Sequence, residues 1–342
     1  MPTAYKAILL FTLATMIIPN FQPFEGEHCE SVAIGNLLKH EGLELSEPML
    51  FGIGAGLGFI YWKMKTMPLP FLGGRTKTLG RNICENLGIQ MDVRETTSPA
   101  KAWLNVAEHL DDGKPVALQL DCYHLDYFTK KIHFAGHHVA LYGYDSTTAY
   151  LVDTRPQGSM VKTSLENLAK ARSEKGPMSA KNRSVTVSLN PADLDVQSAI
   201  LKGIRCNTEE FLNPPIKNLG YKGIRKTSSE IQKWYTASSD LKGDFTHSAT
   251  MMERAGTGGA LFRNLYRDFL AEAGRLLDLD YLREAHARFS VIATKWVAVS
   301  DLFLQVADTG SAEPLHAASE LLTELSELER VAMQQLSEAT SG

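Results

Sequence analysis

The segment EGEHCESVAIGNLLKHEG, Glu25 to Gly42, sets Cys29 beside His28 and Glu30, directly ahead of an apolar-periodic run. A thiol becomes nucleophilic when its thiolate is stabilised, and a helix amino end with a nearby imidazolium supplies that stabilisation. Free cysteines are more often buried small hydrophobes, the reading given to Cys84, Cys122 and Cys206; the polar neighbours of Cys29 argue against it there. Covalent catalysis also needs a histidine to move the proton and a polar group to orient that histidine. The run FAGHHVALYGYDSTTAYLVD offers both, because a hairpin turning at DSTT brings His137, at the start of one strand, beside Asp153, at the end of the next. His138 is adjacent, and strand alternation sends it to the opposite face. His28 either lowers the thiol pKa or caps the helix. His109, His124 and His133 read as surface or core histidines. A metal site from His124, His133, His137 and His138 lacks a helical i, i+4 pair, and no metal is assigned.

The elements that must carry these residues are legible in outline. Glu30 to His40 reads as a helix, with Val32, Ala33, Ile34, Leu37 and Leu38 on its apolar face and Gly42 as its stop. LSEPMLFGIGAGLGFIYWKM reads as a short helix leading into a glycine-rich strand that another backbone approaches closely; no Lys-Ser/Thr follows to make it a phosphate loop. Leu79–Leu87 and Ala100–Leu110 read as surface helices and GKPVALQLD as a buried strand. KTSLENLAKAR reads as a helix capped by Ser164, and RSVTVSLN as a last strand. From about Pro191 the pattern changes to long helices over Ala192–Phe211, Ser228–Ser239, Leu261–Leu276, Asp280–Ala307 and Pro314–Ser337. The expectation is therefore an α+β domain over residues 16–190 followed by an all-α domain over 191–342. Within the helical half, AGTGGALFRNLY places Gly256, Thr257, Gly258 and Gly259 before a helix containing Arg263. That arrangement suits a phosphate or carboxylate, or else a tight interdomain turn.

Composition bounds the partners. A formal net charge of -4, with no Lys/Arg cluster interleaved with aromatics, argues against nucleic acid. The four cysteines form no C-x-x-C pair, which argues against a zinc ribbon and a disulfide scaffold and fits a reducing cytoplasm. AILLFTLATMII behind Lys6 is too short to span a bilayer. It reads as a weak signal-like segment or as an upstream extension, residues 1–15, ahead of a start at Met16; no membrane partner is expected.

HCESVAIGNLLKHEG with LSEPMLFGIGAGLGFIYW, and GHHVALYGYDSTTAYLVDT, resemble the butirosin biosynthesis protein H family of N-acyltransferases. The amino-terminal half of that family is similar to papain-like double-glycine leader peptidases of bacteriocin transporters. MMERAGTGGALFRNLYRDFLAEAG resembles the helical domain that follows, so the resemblance covers nearly the whole chain from Met16. It implies a papain-like domain, with the helix bearing Cys29 packed on an antiparallel sheet, and an all-α second domain. It makes Cys29 the nucleophile, His137 the base and Asp153 the orienting acid. Gly143 falls six positions after His137, where the peptidase pattern has a glycine. The peptidases' glutamine stands six positions before the cysteine, whereas Gln22 stands seven before Cys29. The oxyanion donors are accordingly the Cys29 N–H, with Gln22 or His28 as side-chain candidates and His138 as a secondary group. Gly258, Gly259 and Arg263 are the candidate substrate-binding set.

The activity so implied is acyl transfer in specialised-metabolite biosynthesis. The acyl group arrives as a thioester on the phosphopantetheine of an acyl carrier protein, passes through acyl-Cys29 and leaves on a small-molecule amine. No bound cofactor is expected, and a homodimer is left open. A cysteine peptidase or amidase would use the same three residues, and a binding module with a vestigial triad would keep only the fold.

Overall fold

The computed structural model describes residues 15–340 apart from 66 and 177, so the expectations for residues 1–15 lie outside the described residues, Thr15 excepted. The chain opens with β1 (Met16–Ile17) and α1 (Cys29–His40). α1 buries Val32, Ala33, Ile34, Leu37 and Leu38, and ends where Gly42 takes φ 90° and donates its N–H to the Lys39 carbonyl. Next come α2 (Glu47–Ile53), the antiparallel pair β2 (Leu57–Trp62) and β3 (Phe71–Arg75), and α3 (Leu79–Leu87). β4 (Gln90–Arg94) leads to α4 (Pro99–Asp111), capped by the Ser98 hydroxyl on the Lys101 N–H. β5 (Val116–Leu120) is followed by the hairpin of β6 (His137–Tyr144) and β7 (Thr148–Val152), then β8 (Met160–Ser164), α5 (Leu165–Ser173) and β9 (Ser184–Ser188). Seven helices complete the described chain: α6 (Val196–Leu212), α7 (Gly220–Glu230), α8 (Lys233–Ala237), α9 (Leu241–Glu253), α10 (Arg263–Leu277), α11 (Asp280–Thr309) and α12 (Glu313–Thr340).

Seven strands form one antiparallel sheet in the order β4-β9-β5-β6-β7-β8, with β1 beside the far end of β6. α1 packs on β6 and β5, giving the expected α+β arrangement of a Cys29-bearing helix on an antiparallel sheet. Gly143 is needed where β1 crosses: a Cβ there would lie 2.8 Å from the Ile17 Cα and the Met16 carbonyl oxygen. The last strand in sequence, β9, lies inside the sheet between β4 and β5.

The chain forms two compact units, one of residues up to Glu47 with Gly88–Leu194, the other of Pro48–Leu87 with Asp195 onward. The sequence expectation of an unbroken 16–190 domain is corrected by residues 48–87, which belong with the helices. The reason lies in the edge of β2. Asn207 on α6 bonds both the N–H and the carbonyl of Leu57, at 3.1 and 2.5 Å, and the Asn218 backbone and side chain bond Tyr61. Gly203 admits α6 against the backbone of α2; a Cβ there would lie 2.5 Å from the Gly52 carbonyl oxygen.

The core of this second unit includes Trp234, Trp296, Phe245, Phe269, Phe289 and Phe303, all essentially inaccessible. Among the described residues α11 alone is long and apolar enough to cross a membrane. Its Phe289, Trp296 and Phe303 are instead buried among protein side chains, as in the central helix of a bundle. Two expectations in this half differ from the structure. Ser228–Ser239 is divided between the end of α7 and α8, and α9 went unread because its run LKGDFTHSATMME buries only Phe245, Ala249 and Met252.

Candidate active site

Cys29 is the first residue of α1, so its N–H is among the four at a helix start that have no intrahelical acceptor. His28 is the N-cap residue in extended conformation, yet its side chain makes no capping bond. The segment leading to the thiol is held instead by Glu47, whose carboxylate accepts from the Glu27 N–H and His28 N–H at 2.8 Å and from the Ser31 hydroxyl at 2.7 Å. There is no room for a side chain at Gly26, where a Cβ would meet the Glu47 carboxyl carbon at 2.6 Å. Burial pushes the Glu47 carboxyl up, against the pull of these three donors.

The hairpin does what its spacing predicts. His137 opens β6 opposite Leu120, and its Nε2 lies 2.7 Å from Asp153 Oδ2, just past β7. With Nε2 so engaged, Nδ1 is the nitrogen left for the thiol, to which His137 is hydrogen-bonded. Asp153 is wholly buried and fully partnered: Oδ2 also accepts from the Tyr127 hydroxyl at 2.7 Å, and Oδ1 from the Thr154 N–H at 2.6 Å. Phe128 sets its ring edge-on to the His137 imidazole, with centroids 5.4 Å apart.

Burial of Cys29, 8% exposed, would push its thiol up, but the hydrogen bonds and charges of His137 and His138 outweigh that and bring it down to about 5. Burial likewise opposes the charged form of His137, and the Asp153 carboxylate beside it lifts it well above the usual histidine range. Asp153 is held below the usual carboxylate range despite its burial, by His137, Tyr127 and Thr154. The thiol and imidazole therefore rest as a thiolate–imidazolium pair. The other cysteines behave as small hydrophobes, all free, with burial pushing Cys84 up to about 12 and also raising Cys122 and Cys206.

The structure brings Cys29, His137 and Asp153 together and adds His138, which stands close enough to Cys29 to help draw its thiol down. The alternation argument that sent His138 away is corrected here. Alternation fixes the direction of Cβ but not the end point of an imidazole, and at His137–His138 β6 is paired only with β5, the β7 register starting at Ala140. Gln22 is exposed and its amide donates to the Asn20 carbonyl, so the Cys29 N–H is the better-placed oxyanion donor. Sequence reasoning missed Tyr127 and Glu47, since a tyrosine in a loop and a glutamate after a turn carry no spacing signal.

The expectation for Gly258, Gly259 and Arg263 is overturned. Arg263 is inaccessible and forms a bidentate pair with Glu329, Nε to Oε1 at 2.9 Å and Nη2 to Oε2 at 2.8 Å, under the Trp296 ring. Its Nη1 donates to the Leu261 carbonyl at 2.7 Å, and Trp296 Nε1 donates to Glu329 at 2.5 Å. Of the N–H groups in the glycine run, that of Gly259 is donated to the Thr257 hydroxyl, and that of the following Ala260 to the Glu253 carboxylate. The loop is a structural turn, with Ala260, Leu261 and Phe262 all at positive φ, 47° to 74°.

No curated protein matches the chain. Two solved structures align with about half of it. One is described as a C39-like peptidase from Bacillus anthracis, at 16% identity, TM-score 0.36, 52% of this chain and 98% of that one. The other is the peptidase domain of Streptococcus ComA, a bi-functional ABC transporter involved in a quorum sensing pathway, at 12% identity, TM-score 0.32, 51% of this chain and 98% of that one. A family model for a domain of unknown function (DUF4872) matches residues 166–336, and one for butirosin biosynthesis protein H, N-terminal, matches residues 28–154, the span holding Cys29, His137 and Asp153. With half of its length matched, the chain belongs to the DUF4872 family, and the domain that holds Cys29 is similar to the amino-terminal domain of butirosin biosynthesis protein H.

Proposed function

We propose that the protein is a cysteine-dependent N-acyltransferase that takes an acyl group from a carrier-protein phosphopantetheine thioester and passes it to an amine. The observation that carries the reading is the Cys29 thiol, brought down to about 5 by His137 and His138 at a helix start, with His137 held by a fully partnered Asp153. The Cys29 thiolate attacks the thioester carbonyl carbon, and the resulting oxyanion is met by the Cys29 N–H and the positive helix end. The carbon–sulfur bond to pantetheine breaks, and the His137 imidazolium protonates the departing thiolate from Nδ1. Neutral His137 then takes a proton from the incoming amine as it attacks the acyl-cysteine. Collapse releases the amide and restores the thiolate–imidazolium pair. Asp153 stays ionised throughout and holds the imidazole through Nε2. The free thiols fit a cytoplasmic location, and the acyl carrier protein and a small-molecule amine are the partners this chemistry requires.

Incubation with an acyl-pantetheine thioester, followed by intact mass and peptide mapping, tests the reading. The expected result is an adduct on Cys29 that persists until a primary amine is added. Release of free acid without amine, together with peptide cleavage, would establish a hydrolase instead. Absence of any adduct would leave a binding module.

A further inference from the structure

Apart from the thiol site, the first unit gathers a second set of donor side chains. His124 closes the short turn Cys122–His124 after β5, His133 lies further along the same loop, and Glu174 is the C-cap residue of α5. One ligating atom from each of the three lies within 4.8 Å of the others, and His124 Nε2 is 2.5 Å from Glu174 Oε2. Of the four histidines that the sequence suggested for a metal, two are thus engaged at Cys29 and two meet here with a carboxylate. A carboxylate at a helix C-terminus faces the negative end of the helix dipole, where a cation is favoured.

His133 is built as a ligand would be. The buried Asp121 carboxylate accepts from its Nδ1 at 3.1 Å, which leaves the Nε2 lone pair outward, and Tyr123 stacks on its ring with centroids 4.0 Å apart and planes 8° from parallel. Asp121 is itself fixed by the Tyr123 and Phe134 N–H groups. A carboxylate behind the distal nitrogen of a histidine is the usual means of orienting a metal-binding imidazole. We propose that His124, His133 and Glu174 form a binding site for a divalent transition metal ion of the zinc type, with Asp121 orienting His133. Two imidazoles and one carboxylate suit zinc and leave a fourth position for water. Bonds of about 2.0–2.2 Å place tetrahedral donors about 3.4 Å apart, so the His124–Glu174 contact opens slightly as His133 closes. The ion clips the loop after β5 to the end of α5. That loop also carries Tyr127 and Phe128, which touch Asp153 and His137, so occupancy stiffens the support of the base without touching the reacting atoms.

The test uses the full chain with Cys29→Ala, because the thiol and its two histidines are themselves zinc donors, and zinc chloride as the probe after chelator treatment. Titration calorimetry should give one zinc per chain and a zinc-dependent rise in Tm. Adding His133→Ala, whose side chain is mostly exposed and so dispensable to the fold, or Glu174→Gln should abolish both effects. Asp121→Asn should weaken binding by about 10–100-fold. Cobalt(II) in place of zinc should show visible bands with no thiolate charge-transfer band. Absence of stoichiometric binding, binding indifferent to His133→Ala, or a thiolate band from Cys122 would each overturn the proposal.

Discussion

In the first compact unit His137 and Asp153 are buried together under Tyr127, and in the second Arg263 and Glu329 are buried together under Trp296. The second cluster closes on itself, because among the described residues the hydrogen-bonding groups of guanidinium, carboxylate and indole are bonded to one another and to the Leu261 carbonyl. The first leaves a nitrogen over for the Cys29 thiol, and the two groups that face each other there are shifted in opposite directions, the thiol down and the imidazole up. Buried charge by itself therefore marks no chemistry. An incompletely consumed hydrogen-bonding group beside a nucleophile does.

The largest expected effect is on that remaining nitrogen. His137→Ala should slow acylation of Cys29 by about 10²–10⁴-fold, whereas the paired replacement Arg263→Met with Glu329→Leu should leave the rate untouched in folded protein; stopped-flow thioester kinetics decides. The closed pair should instead answer in stability. Glu329→Ala, which strands the guanidinium, should cost about 3–5 kcal/mol in denaturant unfolding, and the paired apolar replacement should recover most of it. A single variant as stable as the double would mean that the cluster is not closed.

Smaller effects sharpen the contrast within the first unit. Tyr127→Phe removes a hydrogen bond to a charged carboxylate, a loss of about 1.5–3 kcal/mol if borne wholly by the transition state, and should slow acylation by about 10- to 150-fold at most. An unchanged rate would reduce Tyr127 to packing. The smallest effect belongs to His138. Alkylation of Cys29 should be flat above its titration and fall about tenfold per pH unit below about 5, because only the thiolate reacts and it is lost as pH drops through the folded pKa. Cys84, up at about 12, stays unreactive at neutral pH. His138→Ala should move the Cys29 midpoint upward by less than His137→Ala does, and an unmoved midpoint would make its contact incidental.

The triad was legible because Cys29, His137 and Asp153 lie at element ends, where caps, turns and alternation are local signals. Gly143 was legible as a spacing, and the crossing of β1 supplies its physical cause. What escaped depends on distant chain. β4 alternates Met91 and Val93 with polar residues over only five positions and buries neither, and β9 reaches the inside of the sheet only through pairing. Residues 48–87 join the helices through Asn207, 150 positions from Leu57. The glycine-rich turn passed for an anion cradle because Glu329, which claims Arg263, stands 66 residues away.

The positive-φ run Ala260–Phe262 bears on how the second unit is stabilised. Left-handed backbone at non-glycine residues costs of order 1–3 kcal/mol each, so this stretch has no reason to adopt its final shape unless something distant rewards it. The reward on the page is Arg263, bonded at once to the Leu261 carbonyl just behind it and to Glu329 on the last helix. The first turn of α10 is held in place by a contact with α12, more than fifty residues further along the chain, so the strained turn and that helix are stabilised together.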